Sequence, residues 1–282
     1  MCGATPLKTL KTNHFYGRRV GRTIRNSSKT ALSKLLPAVR MDQKLLDFAH
    51  SGQKKISLKD EFSSIHNSSM TDCETNGCSP SKIILEIGFG YGELLLHHLS
   101  YDKHSAVVGI DLFENGIANF LKKLNTEDFT RTRIFKANAL DVIENLKHEE
   151  LDEIIIMFPD PWPKKKQQKR RIITDRFLVS CANLLHSGGR LIMASDCMDY
   201  LFNCLKLMEQ SGAFKWMDGA KLSAISDHKQ TSHPRSTIII NGYELIISEW
   251  PSWLPITKYA KRALDFGKSI GYTRWEKRII SS

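Results

Sequence analysis

The stretch from Ile83 to Glu93 reads I-I-L-E-I-G-F-G-Y-G-E and constrains the fold more than any other part of the chain. Its branched apolar run, broken only by Glu86, suits a strand buried on both faces of a parallel sheet. Gly88, Gly90 and Gly92 follow at two-residue spacing. Lacking Cβ atoms, they can take positive φ and let a ligand lie against the backbone as the chain turns into a helix opened by Glu93-Leu94-Leu95-Leu96. A second apolar run, Ala106 to Ile110, ends at Asp111. That is about 20 residues past the last glycine, where an acid accepts hydrogen bonds from a ribose. The pattern predicts a nucleotide-type cofactor, with the Glu86 carboxylate at the mouth of the site, where it favours a cationic group.

The glycine spacing selects among such cofactors. A dinucleotide site uses G-x-G-x-x-G with pyrophosphate on the helix N-terminus. Here the glycines run G-x-G-x-G behind an acid, which repels a pyrophosphate and tolerates the sulfonium and ammonium of S-adenosylmethionine. The competing reading is a glycine-rich strand–helix turn that binds nothing.

The 282 residues suffice for one large α/β domain plus an arm. No segment approaches the ~20 apolar residues of a membrane span, and no secretory apolar stretch opens the chain. The expectation is a soluble, cytoplasmic protein without membrane contact. The six cysteines show no framework spacing; Cys73 and Cys78 lack a second ligand pair, so no metal is expected.

Net charge is +11, and residues 1–41 hold nine Lys or Arg and no acid. Such an arm invites a polyanion. An acid-free, Arg-rich leader also fits an organelle transit peptide, and a basic tail can be merely solvated. Phe15-Tyr16-Gly17-Arg18-Arg19 favours RNA, since aromatics beside arginines suit stacking and phosphate contact. The organisation read from composition is a basic arm and helical segment over 1–62, a polar linker over 63–81 and the main domain over 82–282. The arm before residue 42 is expected to add few core residues.

Further along, Ile117, Phe120, Leu121 and Leu124 mark a helix on the sheet. Asn138 follows a third strand, where its amide could read an adenine edge or merely make a turn. A fourth strand, Leu151 to Phe158, runs into Pro159-Asp160-Pro161-Trp162-Pro163-Lys164-Lys165-Lys166 and then Gln167-Gln168-Lys169-Arg170-Arg171. In a 3-2-1-4 strand order the ligand crevice lies between the first and fourth strands. Three prolines there present Asp160 in a fixed place beside a basic rim suited to phosphates. Phe177, Leu178, Cys181, Leu184 and Leu185 make a helical stripe. His186 to Gly189 should end that helix before a fifth strand, Arg190 to Ala194, and Asn241-Gly242 should join two strands as a hairpin. Asp196 and Thr257 read locally as helix N-caps.

The glycine stretch followed by F-P-D-P-W-P-K-K-K-Q-Q-K-R-R resembles the tRNA (guanine-N(7)-)-methyltransferase family over most of the chain. The resemblance implies a Rossmann-like class I methyltransferase fold: α/β, mostly parallel with an antiparallel edge, with helices on both faces. It implies S-adenosylmethionine as cofactor and N(7) of a guanosine in tRNA, in the variable loop at position 46, as methyl acceptor. Family roles then fall on Glu86, Gly88, Gly90, Gly92, Asp111, Asn138 and Asp160 for the cofactor, with Asp160 also as the carboxylate of the catalytic site. Lys164, Asp196, Thr257, Lys258 and Tyr259 fall on tRNA-binding positions. The chain departs from the pattern at Pro163, where many members have His, at Asn138, where many have Asp, and at Ala260, where the motif continues with Glu. Two alternatives stand beside this reading: a catalytically silent RNA-binding protein of the same fold, and a methyltransferase for another RNA base. Monomer and homodimer both remain open.

Overall fold

The structure is a computed structural model that describes residues 23–45, 55–66, 80–224 and 236–279. Strand β1 (Lys82–Ile87) lies at its centre, paired in parallel with β2 (Ser105–Ile110) on one side and β4 (Leu151–Met157) on the other. Strands β3 (Thr132–Phe135) and β5 (Leu185–Ser195) extend the sheet outward, both parallel. β10 (Gly271–Lys277) runs antiparallel between β5 and β6 (Phe214–Gly219). The order is β3-β2-β1-β4-β5-β10-β6, the expected Rossmann-like arrangement, with the antiparallel strand one position in from the β6 side.

In chain order the helices are α1 (Asn26–Lys34), α2 (Leu58–His66), α3 (Glu93–Tyr101), α4 (Glu114–Leu121), α5 (Thr126–Thr130), α6 (Ala139–Ile143), α7 (Asp175–Leu184), α8 (Met198–Ser211) and α9 (Lys258–Asp265). Alternation along β1 sorts its side chains between two layers. Ile83, Leu85 and Ile87 pack with Phe177 and Leu178 of α7 and Leu201 of α8, whereas Ile84 faces Leu94 of α3. Phe177, Leu178, Cys181 and Leu184 form the expected stripe on α7 while Leu185 begins β5, and Thr174 caps the helix by accepting from the Phe177 N–H at 3.3 Å. Among the described residues, no helix is long and apolar enough to cross a membrane.

One sequence expectation about the strands changes here. His186 to Gly189 do not terminate α7 in a turn; they belong to β5, which starts at once after the helix and absorbs the change through a register shift opposite Leu151 and Glu153. The Asn241-Gly242 hairpin does form, with φ of 52° and 78° as a type I′ turn requires. Its strands β8 (Ser236–Ile240) and β9 (Tyr243–Ile247) build a separate three-stranded sheet with β7 (Lys221–Ala224).

Residues 31–41 reach into the core, contrary to the expectation that the arm before residue 42 adds few core residues. Ala31, Leu36, Val39 and Met41 are buried, as are Leu45, Ile56, Leu58 and Phe62. Leu36 and Val39 join Ile117 and Phe120 under α4. The Ile134 N–H donates to the Val39 carbonyl at 2.7 Å and the Met41 N–H to the Ile134 carbonyl at 2.8 Å, adding one bridge beyond β3. Buried Glu150 receives the Ser57 hydroxyl at 2.8 Å and the N–H groups of Leu58 and Lys59 at 2.6 and 3.2 Å. A carboxylate from the core thus caps α2, which continues through His66 past the expected boundary at 62. Residues 15–19, the aromatic and arginine cluster, lie outside the described residues, as do Cys73 and Cys78.

Candidate functional site

A cavity of about 310 Å³ opens beyond the carboxyl ends of β1, β2 and β4, where the strand order reverses. Gly88, Gly90, Asp111, Asn138, Asp160 and Tyr259 all line it. Gly88 has φ of 74°, and a Cβ there would meet no atom within 4 Å, so its backbone faces open space. Gly92, at φ of 72°, serves a different end. A Cβ would come within 2.3 Å of the Phe120 ring, so this glycine admits α4 against α3 and does not line the cavity.

Asp111 stands at the end of β2 with both oxygens on backbone donors: Gly90 N–H to Oδ2 at 2.7 Å and Phe113 N–H to Oδ1 at 2.8 Å. An ionised carboxylate keeps further lone pairs for ribose hydroxyls. Burial pushes its carboxyl upward, against the pull of these N–H groups. Glu86 does not stand at the mouth, as the sequence suggested. It occupies the β1 face covered by α3, is 4% exposed, and contributes nothing to the cavity wall. The physical reason is the strand's alternation: Glu86 shares the Ile84 face, which α3 covers. Burial, and then the charge of Asp111, hold its carboxyl well above the usual range, and its Oε2 has no hydrogen-bond partner. An unpartnered buried carboxyl oxygen behind a glycine loop fits a cofactor that carries positive charge on the cavity side of that loop.

Asn138 lines the cavity and also caps α6, its Oδ1 accepting from the Leu140 N–H at 2.9 Å. Both local readings of this residue are therefore compatible.

Asp160 sits at the cavity rim between residues held in left-handed backbone conformations. Phe158 has φ of 51° and Trp162 φ of 40°. Non-glycine residues in that region carry about 1–3 kcal/mol of strain each, tolerated where surrounding contacts enforce it. The Phe158 N–H is fixed on the Ala194 carbonyl at 2.8 Å, and its ring stacks on Trp250. On the other side the Arg170 guanidinium lies 4.9 Å from the Trp162 ring centre. Although Asp160 is exposed, partial desolvation by the loop raises its carboxyl above the ordinary value. Lys164, Lys165 and Lys166 are exposed outside the cavity, while Lys169, Arg170 and Arg171 line it.

The Thr257 to Tyr259 segment reaches this site from the far end of the chain. Thr257 caps α9, accepting from the Ala260 N–H at 3.3 Å, and Tyr259 forms part of the cavity wall beside Gly90. Lys258 places its ammonium 4.2 Å from the Tyr91 ring centre. Asp196 caps nothing: the N-cap position of α8 is Cys197, whose N–H goes to Ser195 Oγ, and Asp196 pairs with Lys268 at 2.6 Å. Asp196, Lys164, Thr257 and Lys258 all lie outside the cavity lining. Two residues that sequence reasoning did not single out, Glu93 and Arg171, brace this arrangement. The only hint for Arg171 was its position directly before apolar Ile172-Ile173.

The family described as "Putative methyltransferase" matches residues 80–238, more than half of the chain. The chain belongs to this methyltransferase family. The bifunctional methyltransferase of Rickettsia prowazekii is 32% identical over 209 residues, which cover 74% of this chain and 35% of that protein. This methyltransferase chain thus matches about a third of the length of that relative. The tRNA (guanine-N(7)-)-methyltransferase of Agrobacterium fabrum is 27% identical over 267 residues, covering 95% and 96% of the two chains. The family resemblance carried by the glycine and P-D-P-W stretches therefore holds. A solved antibiotic-related methyltransferase aligns at a TM-score of 0.45 and 16% identity, over 71% of this chain and 88% of that one. The fold itself rests on the strand order.

Proposed function

We propose that this chain transfers a methyl group from S-adenosylmethionine to N(7) of a guanosine in tRNA, at position 46 of the variable loop. The observation that carries the reading is the position of Asp160, on a strained, proline-fixed turn, at the rim of the cavity that Asp111 and the glycine loop line. The cofactor supplies an electrophilic methyl group. Gly88, Gly90 and Asp111 hold its nucleoside part and Asn138 its base, and positive charge on the cofactor would favour ionisation of Glu86 behind the loop.

Guanine N(7) carries an in-plane lone pair and no proton, so no general base is required and positioning dominates the rate. With the cofactor bound, methyl transfer would leave its sulfur neutral, with the electron pair of the broken S–C bond, and would place positive charge on the guanine ring. Asp160 stabilises that charge in a partly desolvated setting. The exposed lysines from 164 to 166 and the segment at 257–259 hold tRNA phosphates, together with the basic residues of 1–41. The name of the Agrobacterium fabrum relative and its match across nearly the whole chain support this choice of substrate.

The test is to incubate the protein with methyl-labelled cofactor and tRNA and map the modified base. Label at N(7) of guanosine 46 is expected. Label on another base would assign a different RNA methyltransferase, and tight binding of both partners without label would assign a silent RNA-binding protein.

A further inference from the structure

The basic run after Trp162 reads as a uniform phosphate rim, yet its last member behaves differently. The Arg171 side chain is only 8% exposed, whereas Lys164, Lys165 and Lys166 stand in solvent. Its Nε donates to the Pro161 carbonyl at 2.8 Å, ten residues back, and its Nη2 meets Asp199 Oδ2 at 3.2 Å. The guanidinium lies 4.7 Å from the ring centre of Tyr200, a core side chain of α8 that is 1% exposed. A planar fork can make these three contacts together; an ammonium cannot.

Pro161 is the residue between Asp160 and Trp162, and Trp162 carries the left-handed φ of 40°. A proline supplies no N–H to hold such a turn, so its carbonyl is the one backbone handle it offers. That handle is tied through Arg171 to α8. With its charge compensated by Asp199 and its face covered by Tyr200, Arg171 is poorly disposed to bind a phosphate.

We propose that Arg171 is a positioning residue for methyl transfer: it pins the Pro161 carbonyl to α8 and so holds the strained turn that presents Asp160 at the cavity rim. The inference rests on the reading given under Proposed function, since it takes Asp160 as the group that stabilises the developing charge. The exposed Asp199 contributes little by charge alone; the Pro161 bond and the Tyr200 stack do the holding.

The test compares Arg171→Ala, Arg171→Lys and wild type in three measurements. Hydrogen exchange of the segment 158–164 in the free protein should quicken in Arg171→Ala. Turnover at saturating tRNA should fall on the order of 10- to 100-fold, the scale of a misplaced catalytic group, with KM for cofactor and tRNA affinity little changed. The salt dependence of tRNA binding should keep its slope, because no phosphate contact is lost. Low-millimolar guanidinium should restore part of the turnover of Arg171→Ala and leave wild type unaffected. Should Arg171→Ala fail to fold, Arg171→Lys carries the test, with intermediate turnover and faster exchange expected. Wild-type turnover and exchange in a folded variant, or a flatter salt slope with full turnover, would overturn the proposal. Failure of wild type to label tRNA guanine is separate: it removes the functional reading, and hydrogen exchange alone then decides whether Arg171 pins the turn.

Discussion

The backbone N–H of Lys258 donates to Oε2 of Glu93 at 2.8 Å, joining residues 165 positions apart. Glu93 opens α3 just past the glycine loop, and Lys258 opens α9, so one carboxylate lies at the N-termini of two helices, where negative charge is favoured. Through this contact the segment bearing Tyr259 is held against the loop that bears Gly90. Glu93→Ala should lower stability by about 1 kcal/mol, as for loss of an N-cap, and raise KM for the cofactor. Glu93→Gln keeps an acceptor and should lose less. Denaturant melts and cofactor kinetics check both, and an alanine variant matching wild type in each would break the link.

Ala260 is fully buried at the third position of Thr257-capped α9, the place where a capping box carries Glu. Glu93 already supplies a carboxylate at that N-terminus, on the neighbouring Lys258 N–H. Ala260→Glu should destabilise by about 1–3 kcal/mol through overpacking and should not raise turnover. Faster methylation without a stability loss would contradict this.

Glu86 should give stability a pH dependence of definite sign. Its carboxyl is held well above the usual range by burial, so the folded state retains a proton that the unfolded chain releases. That contribution is full below the ordinary carboxylate range and is lost as pH rises toward the raised folded value. Relative to wild type, Glu86→Gln should therefore gain stability with increasing pH. Parallel melting-temperature curves for the two proteins across this range would remove the buried ionisable carboxyl from the explanation.

Asp160→Asn keeps the size of the side chain and removes its charge. Turnover should drop on the order of 100-fold, as when an electrostatic stabiliser is lost, while tRNA affinity holds. Because desolvation raises this carboxyl, wild-type turnover should decline on the acid side at a pH above the ordinary aspartate value. The pH–rate profile reads this directly, and a variant with near-normal turnover would excuse Asp160 from the chemistry.

Two truncations separate RNA contact from folding in the N-terminal region. Removing residues 1–22 should flatten the salt dependence of tRNA binding, since their lysines and arginines would no longer release counterions. Removing residues 1–41 should in addition lower the melting temperature, because Ala31, Leu36, Val39 and Met41 leave the core and each larger side chain is worth about 1.5–3 kcal/mol. Identical salt curves for full-length and shortened protein would show that the arm does not touch tRNA.

The sequence by itself determined the five parallel strands β1 to β5, the glycine loop and the position of Asp111. Short apolar runs, glycines and prolines act over a few residues, so their consequences are local and legible. It also located Asp160, because prolines fix a turn from within. What only the tertiary structure decided are relationships between distant segments. The burial of Glu86 depends on which strand face α3 covers, and the brace between Glu93 and Lys258 depends on the return of the chain from its far end. The capping of α2 by Glu150 arises the same way, as does the conversion of Arg171 from a rim charge into a strut. A charge run shows the same letters whether its side chains meet water or a carbonyl, and only packing separates the two.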